Sequence, residues 1–212
     1  LNINNFSETM GFQTRTTNRA YRSFELFESL PLISYSDLKK IKYDNRFSKN
    51  SRQYKFMEKI FEYDFSDNDR LTKAKEFLQS WDLGTNSENK HAAFGVCILS
   101  PEWLAEIQRE PAPNPIKIFK NCVNEFYENF GKLDVLWSDV NFLQRDEKLV
   151  HIQGGPDVLR AIYAPRSEDG ILKAVAGDGL YIFVHWNDHK EMISESIHQF
   201  GSSTMNSYSK HY

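Results

Sequence analysis

A Gly177-Asp178-Gly179 triplet stands in front of a run of aromatic and β-branched residues at 180–186. Such a triplet can serve as a phosphate cradle, as a tight turn, or as the mount for a catalytic carboxylate. A glycine loop binds phosphate when it leads into a helix whose first amides face the anion. This one leads into a segment that alternates like a strand, and the Asp178 carboxylate would repel a phosphate. Residues 152–157, IQGGPD, hold two glycines but no Lys-Ser/Thr pair behind them. Nucleotide binding is excluded on these grounds. Asp-Gly between two β runs predicts a type I′ hairpin turn, whose central residues both need positive φ. A turn at a sheet edge also fixes a carboxylate in space, so a chemical role for Asp178 stays open beside it.

Other candidates are weaker. His185 and His189 have the spacing of a helical metal pair, but they straddle a turn predicted at Asn187-Asp188 and have no third ligand nearby. They read as satisfied or exposed histidines, and so do His151 and His198, each alone among strand residues. Cys97 and Cys122 lie in segments that read as helical, without CxxC spacing, and fit buried small hydrophobes better than a redox or zinc pair. Arg15, Arg19 and Arg22 flank a predicted helix start. The helix dipole does not favour a cation there, so Arg19 needs a carboxylate or another partner. The chain has no GxSxG, HExxH or Cys-His signature.

The elements that must position these residues fall into two textures. Helices are predicted first. One begins at Thr16, Thr17 or Asn18 with Ala20, Phe24 and Phe27 on one face, and a short one opens on a Ser34/Asp37 capping box. A third covers 49–63 with Phe56, Ile60 and Tyr63 inward. A fourth, capped by Asp69, carries Leu71, Ala74, Leu78 and Trp81 and is left at Gly84. Further helices are expected at 91–99, 101–108 and 115–130, the last stopped by Gly131, with a proline-rich linker at 109–115. After Gly131 come short segments separated by turn residues, LDVLWSDVNFL, LVHI, ILKAVAG, LYIFVHW and EMISESIHQF, all reading as strands. Helices followed by strands predict an α+β fold with a mostly antiparallel sheet.

The 212 residues suffice for one well-buried core. A net charge of -3 without a dense Lys/Arg run argues against nucleic acid as a partner. No apolar stretch is long enough to span a bilayer. The chain starts at Leu1, without an initiator Met or a signal segment, and is expected to be part of something longer.

Several stretches, in order, resemble the C-terminal part of the β subunit of the penicillin acylase family of N-terminal-nucleophile (Ntn) amidohydrolases. They are TRTTNRAYRSFEL (14–26), KYDNRFS (42–48), LQSWD (78–82), LWSDVNFLQR (136–145), GGPDVLRAIY (154–163), AGDGLYIFVHW (176–186), SESIHQFGSS (194–203) and the closing SKHY. GGPDVLRA and SESIHQFG lean toward the acyl-homoserine-lactone acylase-like branch. The resemblance implies a C-terminal fragment of an Ntn-hydrolase αββα fold, with residues 1–131 as a helical lobe and 132–212 as a β-rich segment of the core.

In that family a Ser at the first position of the β subunit, freed by autocatalytic excision of a linker, attacks an amide carbonyl, and its own α-amino group is the base. Leu1 has no nucleophilic atom, so the resemblance implies a chain that is inactive alone and works with the remainder of the β subunit and the α subunit of its precursor. The oxyanion-hole Asn is expected upstream; Asn4 and Asn5 stand too close to Arg19 to replace it. Arg19 matches the family's arginine beside that Asn. Asp178 falls where related cephalosporin acylases place an acid that holds the active-site histidine, although Gly179 replaces the usual small hydroxyl residue. The implied activity is hydrolysis of a small N-acyl amide, without a cofactor beyond the calcium some members bind, in the periplasm or outside the cell. The rival reading is a binding or scaffold module derived from the same family.

Overall fold

The computed structural model describes residue 9 and residues 15–145, 147–198 and 206–210. Asn4, Asn5, residues 199–205 and the closing His211 and Tyr212 lie outside the described residues.

Six α-helices lead among these residues. Helix α1 (Asn18–Glu28) opens at Thr17, whose side chain accepts from the Ala20 amide. Its expected apolar face is not buried: Phe24 and Phe27 are 54% and 40% exposed, and the residue it buries is Asn18. The helix is held by a polar network at its N-terminus, not by an apolar stripe. Helix α2 (Tyr35–Lys42) starts with the predicted capping box between Ser34 and Asp37. Helix α3 (Arg52–Glu62), capped by Ser51, buries Phe56, Met57 and Ile60. Tyr63 instead lies exposed, because the chain turns extended there. The cap of α4 (Asp69–Gln79) is Asn68, one residue before the expected Asp69, which occupies the first turn.

The segments expected at 91–99 and 101–108 are a single helix, α5 (Ala92–Gln108), with Pro101 inside it. Proline removes one backbone donor without forcing a break where packing holds both sides. Residues 92–99 of α5 are all buried, as expected for a helix that is apolar all round. Gly95 is required here. A Cβ built on it would stand 2.3 Å from the Trp81 ring, so the indole packs directly on the α5 backbone. Helix α6 (Pro115–Phe130) is capped by Asn114, begins with Pro115 and ends at Gly131 in the left-handed conformation.

Cys97 of α5 and Cys122 of α6 form a disulfide, with Cα atoms 6.1 Å apart. The expectation of two small buried hydrophobes is corrected: both are buried, yet they are joined covalently. Their spacing in sequence carries no sign of this, because the packing of α5 on α6 brings them together.

The chain beyond Gly131 is mixed, giving an α+β architecture. Residues 137–139 form a 3-10 turn, not the start of a strand. Strands β1 (Asn141–Arg145) and β2 (Lys148–His151) pair antiparallel, and β4 (Leu172–Lys173) joins β1 in parallel. Strands β3 (Ile162–Tyr163) and β5 (Ala176–Gly177) form a second antiparallel pair, β6 (Leu180–Trp186) and β7 (Met192–His198) a third. Antiparallel pairing predominates, as expected, but in three small sheets and not one. Trp137, Val140, Val158 and Leu172 join the same apolar cluster as Phe56, Phe94 and Phe126, so one core runs across residue 131.

The Asp178-Gly179 hairpin is a correction. Strand β5 pairs with β3 while β6 pairs with β7, so the triplet is a corner between two sheets. Neither Asp178 nor Gly179 has positive φ. The strand periodicity on either side was legible; which strands paired was a long-range matter.

Candidate functional site

Four of the resemblance stretches, 14–26, 42–48, 154–163 and 176–186, meet in one polar network. Its centre is Asp157 of the GGPD stretch, 2% exposed and in the left-handed conformation at φ 59°. Its carboxylate accepts from the Asn18 amide at 2.9 Å, the Gln53 side chain at 2.7 Å and Arg19 Nε at 3.3 Å. A carboxylate at the first turn of α1 meets both the unpaired amides and the positive end of the helix dipole. The Asn18 side chain completes the clamp: its Nδ2 donates to the Asp157 carbonyl at 2.8 Å and its Oδ1 accepts from the Ser48 amide at 2.7 Å.

The GGPD loop has no free cradle. The Gly154 amide donates to the Thr85 carbonyl, the Gly155 amide to Arg160, and Gly154 sits at φ 100° with the Arg160 carbonyl where a Cβ would be. The loop turns back on itself to deliver Asp157.

Arg19, the first predicted site residue, therefore has the carboxylate its position demanded. Its side chain is 46% exposed, so the guanidinium lies at the surface edge of a buried anion. Asp178, the second, bridges two cations: Lys42 Nζ at 2.7 Å and Arg160 at 3.0 Å. Its own amide donates to the Ala161 carbonyl. Arg19 and Asp178 do not pair with each other. Tyr163 lies within electrostatic reach of both; its phenol is raised chiefly by burial, with Arg19 opposing and Asp157 and Asp178 adding to the rise. Asp44 of the KYDNRFS stretch ties in a third motif by accepting two bonds from Arg22, each 2.9 Å.

Four residues apart on α5, Glu102 and Glu106 are buried at 1% and 6% exposure. Arg52 bonds Glu102, and Arg15 Nε stands 3.3 Å from Glu106. Burial pushes the Glu106 carboxyl up, Arg15 and Arg52 pull it back, and Glu102 and Asp157 raise it again, for a net rise. Sequence reasoning passed over Asp157, Glu102 and Glu106. The i, i+4 carboxylates in an apolar helix were a usable signal, whereas Asp157 gave none apart from its place after two glycines.

His185 is packed on Tyr35, ring centroids 4.0 Å apart, while His189 lies in the turn between β6 and β7, its amide bonded to Asn187. Among the described residues no three His, Cys, Asp or Glu side chains gather as a metal site. No helix is long and apolar enough to cross a membrane, among the residues described.

No protein-family model matches the chain, and no curated protein matches it significantly.

The third sheet carries the other notable feature. On one face of β6 and β7, Tyr181, Phe183 and His185 are near α2: Tyr35 contacts Phe183 and His185, Tyr43 contacts Tyr181, and Lys39 pairs with Glu195 at 2.6 Å. The opposite face presents Leu180, Ile182, Val184, Trp186 and Met192, between 44% and 65% exposed. A two-stranded ribbon is marginal by itself, and an apolar face of this size marks a contact surface.

Proposed function

We propose that this chain is part of an N-acyl amide hydrolase of the penicillin acylase type, with an Ntn-hydrolase core completed by polypeptide beyond these residues. The observation that carries the reading is the convergence of the motif stretches. Residues from 14–26, 42–48, 154–163 and 176–186 are far apart in sequence, yet Asn18, Arg19, Asp44, Ser48, Asp157, Arg160 and Asp178 interlock. Two further features support it. A ribbon with α2 on one face and bare apolar side chains on the other is what one layer of a helix-sheet-sheet-helix sandwich looks like without the facing sheet. A disulfide suits an oxidising compartment, in keeping with periplasmic or secreted enzymes.

In this reading the catalytic nucleophile, its amine and the oxyanion Asn are supplied from outside residues 1–212. Arg19 and Asp178 act as positioning residues. Asp157 fixes the α1 terminus and holds Arg19 Nε, leaving the rest of a half-exposed guanidinium to orient an amide side chain. Asp178 is held between Lys42 and Arg160 so that its carboxylate presents a fixed acceptor to an imidazole. The intact enzyme forms an acyl-enzyme on its terminal Ser, releases the amine, and then hydrolyses the ester. This chain alone has no activity, and the reading involves no cofactor in the chemistry.

A second reading is favoured by a specific observation. Both Arg19 and Asp178 already have ionic partners inside the chain, which is also what a purely structural network in a binding or scaffold module requires. One experiment separates the two. The natural product containing this segment is isolated, its mass and N-terminal sequence are determined, and it is assayed on N-acyl nitroanilides. A chain beginning with Ser that releases nitroaniline, with Asp178→Asn lowering kcat and shifting its pH profile, supports the hydrolase. A product without a terminal nucleophile and without turnover overturns it in favour of the module.

A further inference from the structure

A second site adjoins the network around Asp157, with Tyr163 common to both. A cavity of about 580 Å³ opens between α5, α6 and the segment 162–175. That volume lies within the range of about 300–1,000 Å³ usual for small-molecule sites. The walls are mostly apolar. Trp103, stacked on Tyr163 at 5.2 Å with planes 15° apart, forms a flat aromatic side, and Ile118, Leu172 and the Cys97–Cys122 disulfide line the remainder. Val175, 75% exposed, stands at the rim.

Two charged groups also line it, and they decide what can bind. Arg166 Nη1 lies 3.4 Å from Glu125 Oε1, and its other polar contacts are carbonyls at 3.2 Å (Gly170) and 3.5 Å (Ala93). These are long for hydrogen bonds to a guanidinium, whose charge-assisted contacts are normally shorter than about 2.9 Å. Glu125 Oε1 is buried and accepts no hydrogen bond of ordinary geometry. The pair is net neutral, so an anion drawn to Arg166 is repelled by Glu125, a cation drawn to Glu125 is repelled by Arg166, and either loses its hydration without a net electrostatic gain. A neutral group that both donates and accepts satisfies the two at once, its N–H or O–H reaching Glu125 and its oxygen receiving Arg166. Burying a polar group is favourable only when its bonds are made, so a hydrocarbon without such a group leaves the pair as it stands.

We propose that this cavity is a binding site for a neutral, largely apolar small molecule with an aromatic or aliphatic body and one amide or hydroxyl group. The body packs against Trp103 and Ile118, and the polar group sits between Glu125 and Arg166. The site does not depend on the hydrolase reading, since none of the residues discussed there for catalysis lines it.

Three probes of one shape test it by calorimetric titration of the 212-residue chain: 4-phenylbutanamide, 4-phenylbutanoate and 4-phenylbutylammonium. The amide is expected to bind at least about tenfold more tightly than either charged analogue, the equivalent of one satisfied hydrogen-bonding group. Glu125→Gln removes the repulsion, and the butanoate is expected to gain about tenfold on the amide. Val175→Trp, which narrows an exposed rim and leaves the core intact, is expected to weaken all binding at an unchanged thermal midpoint. Equal binding of the three probes, no binding of any, or binding indifferent to both substitutions in folded protein overturns the proposal. So does exclusion of all three by a dimer that covers the mouth, seen by sedimentation.

Discussion

Removing the Asp157 carboxylate should be the most damaging single change in the polar network, and the structure says by how much. The side chain receives the Asn18 amide and the Gln53 amide group inside the protein, with Asn18 and Gln53 each 1% exposed, and Arg19 at a half-exposed edge. Asp157→Ala leaves the two buried donors without an acceptor, at about 1–3 kcal/mol each. It also places alanine in a left-handed conformation, adding about 1 kcal/mol. The sum is about 3–7 kcal/mol, a large part of the 5–15 kcal/mol typical of a whole domain. Asp157→Asn keeps one acceptor oxygen and a residue that tolerates positive φ, so its cost should be about half. Arg19→Met, removing only the exposed partner, should cost less than about 1 kcal/mol. Urea unfolding followed by far-UV circular dichroism measures all three. If Asp157→Ala lies within about 1 kcal/mol of the parent, or Arg19→Met costs more than Asp157→Asn, the network does not work through buried hydrogen bonding as argued.

The remaining expectations concern the core, the disulfide and pH. Gly95→Ala should destabilise by about 1–3 kcal/mol despite alanine's better helix propensity, because the new methyl meets the Trp81 ring; a lower thermal midpoint, partly restored by adding Trp81→Leu, is the expected result. Reduction of Cys97–Cys122 should cost about 3.5 kcal/mol by the loop-entropy relation for a separation of 25 residues, read as a fall in thermal midpoint with a phosphine reductant. Thiol titration of the unreduced, unfolded chain should find no free cysteine, and finding two would remove the link between α5 and α6. Glu106 holds its proton more tightly when folded than when unfolded, so its contribution is fully present below 4.5 and is lost as pH rises through the raised folded value. Relative to Glu106→Gln, the parent should therefore lose stability over that rise; parallel urea midpoints at every pH would contradict it. Glu25 behaves oppositely: burial raises it, but bonds from Ser48, Arg22 and Asn50 win and lower it, so its contribution fades on acidification below 4.5. Glu25→Gln should flatten the acid limb of the stability profile.

Helix positions were legible in the sequence wherever the signal was local. The Ser34/Asp37 capping box, the Pro115 start and Gly131 stop of α6, and the strand periodicity at 180–186 each depend on neighbours within a few residues, and each formed as expected. The demand of Arg19 for a carboxylate was legible too, because a cation at a helix start is an electrostatic misfit that something must answer. Its partner was not, being 138 residues away in a loop of unremarkable composition.

Tertiary structure alone decided the rest. Phe24 and Phe27 had a helical spacing, but burial is set by what lies opposite, and nothing described packs on that face closely enough to bury them. Two segments split by Pro101 became one helix because packing on both sides outweighed a lost hydrogen bond. Asp178-Gly179 became a corner and not a hairpin because β5 and β6 found different partners, a choice among long-range pairings that strand periodicity does not encode. The joining of Cys97 to Cys122 and the facing of Glu125 with Arg166 are of the same kind. Sequence determined which segments could be helix or strand and which charges required an answer. The three-dimensional packing determined which side chain gave it, because contact between residues distant along the chain is a property of the whole fold.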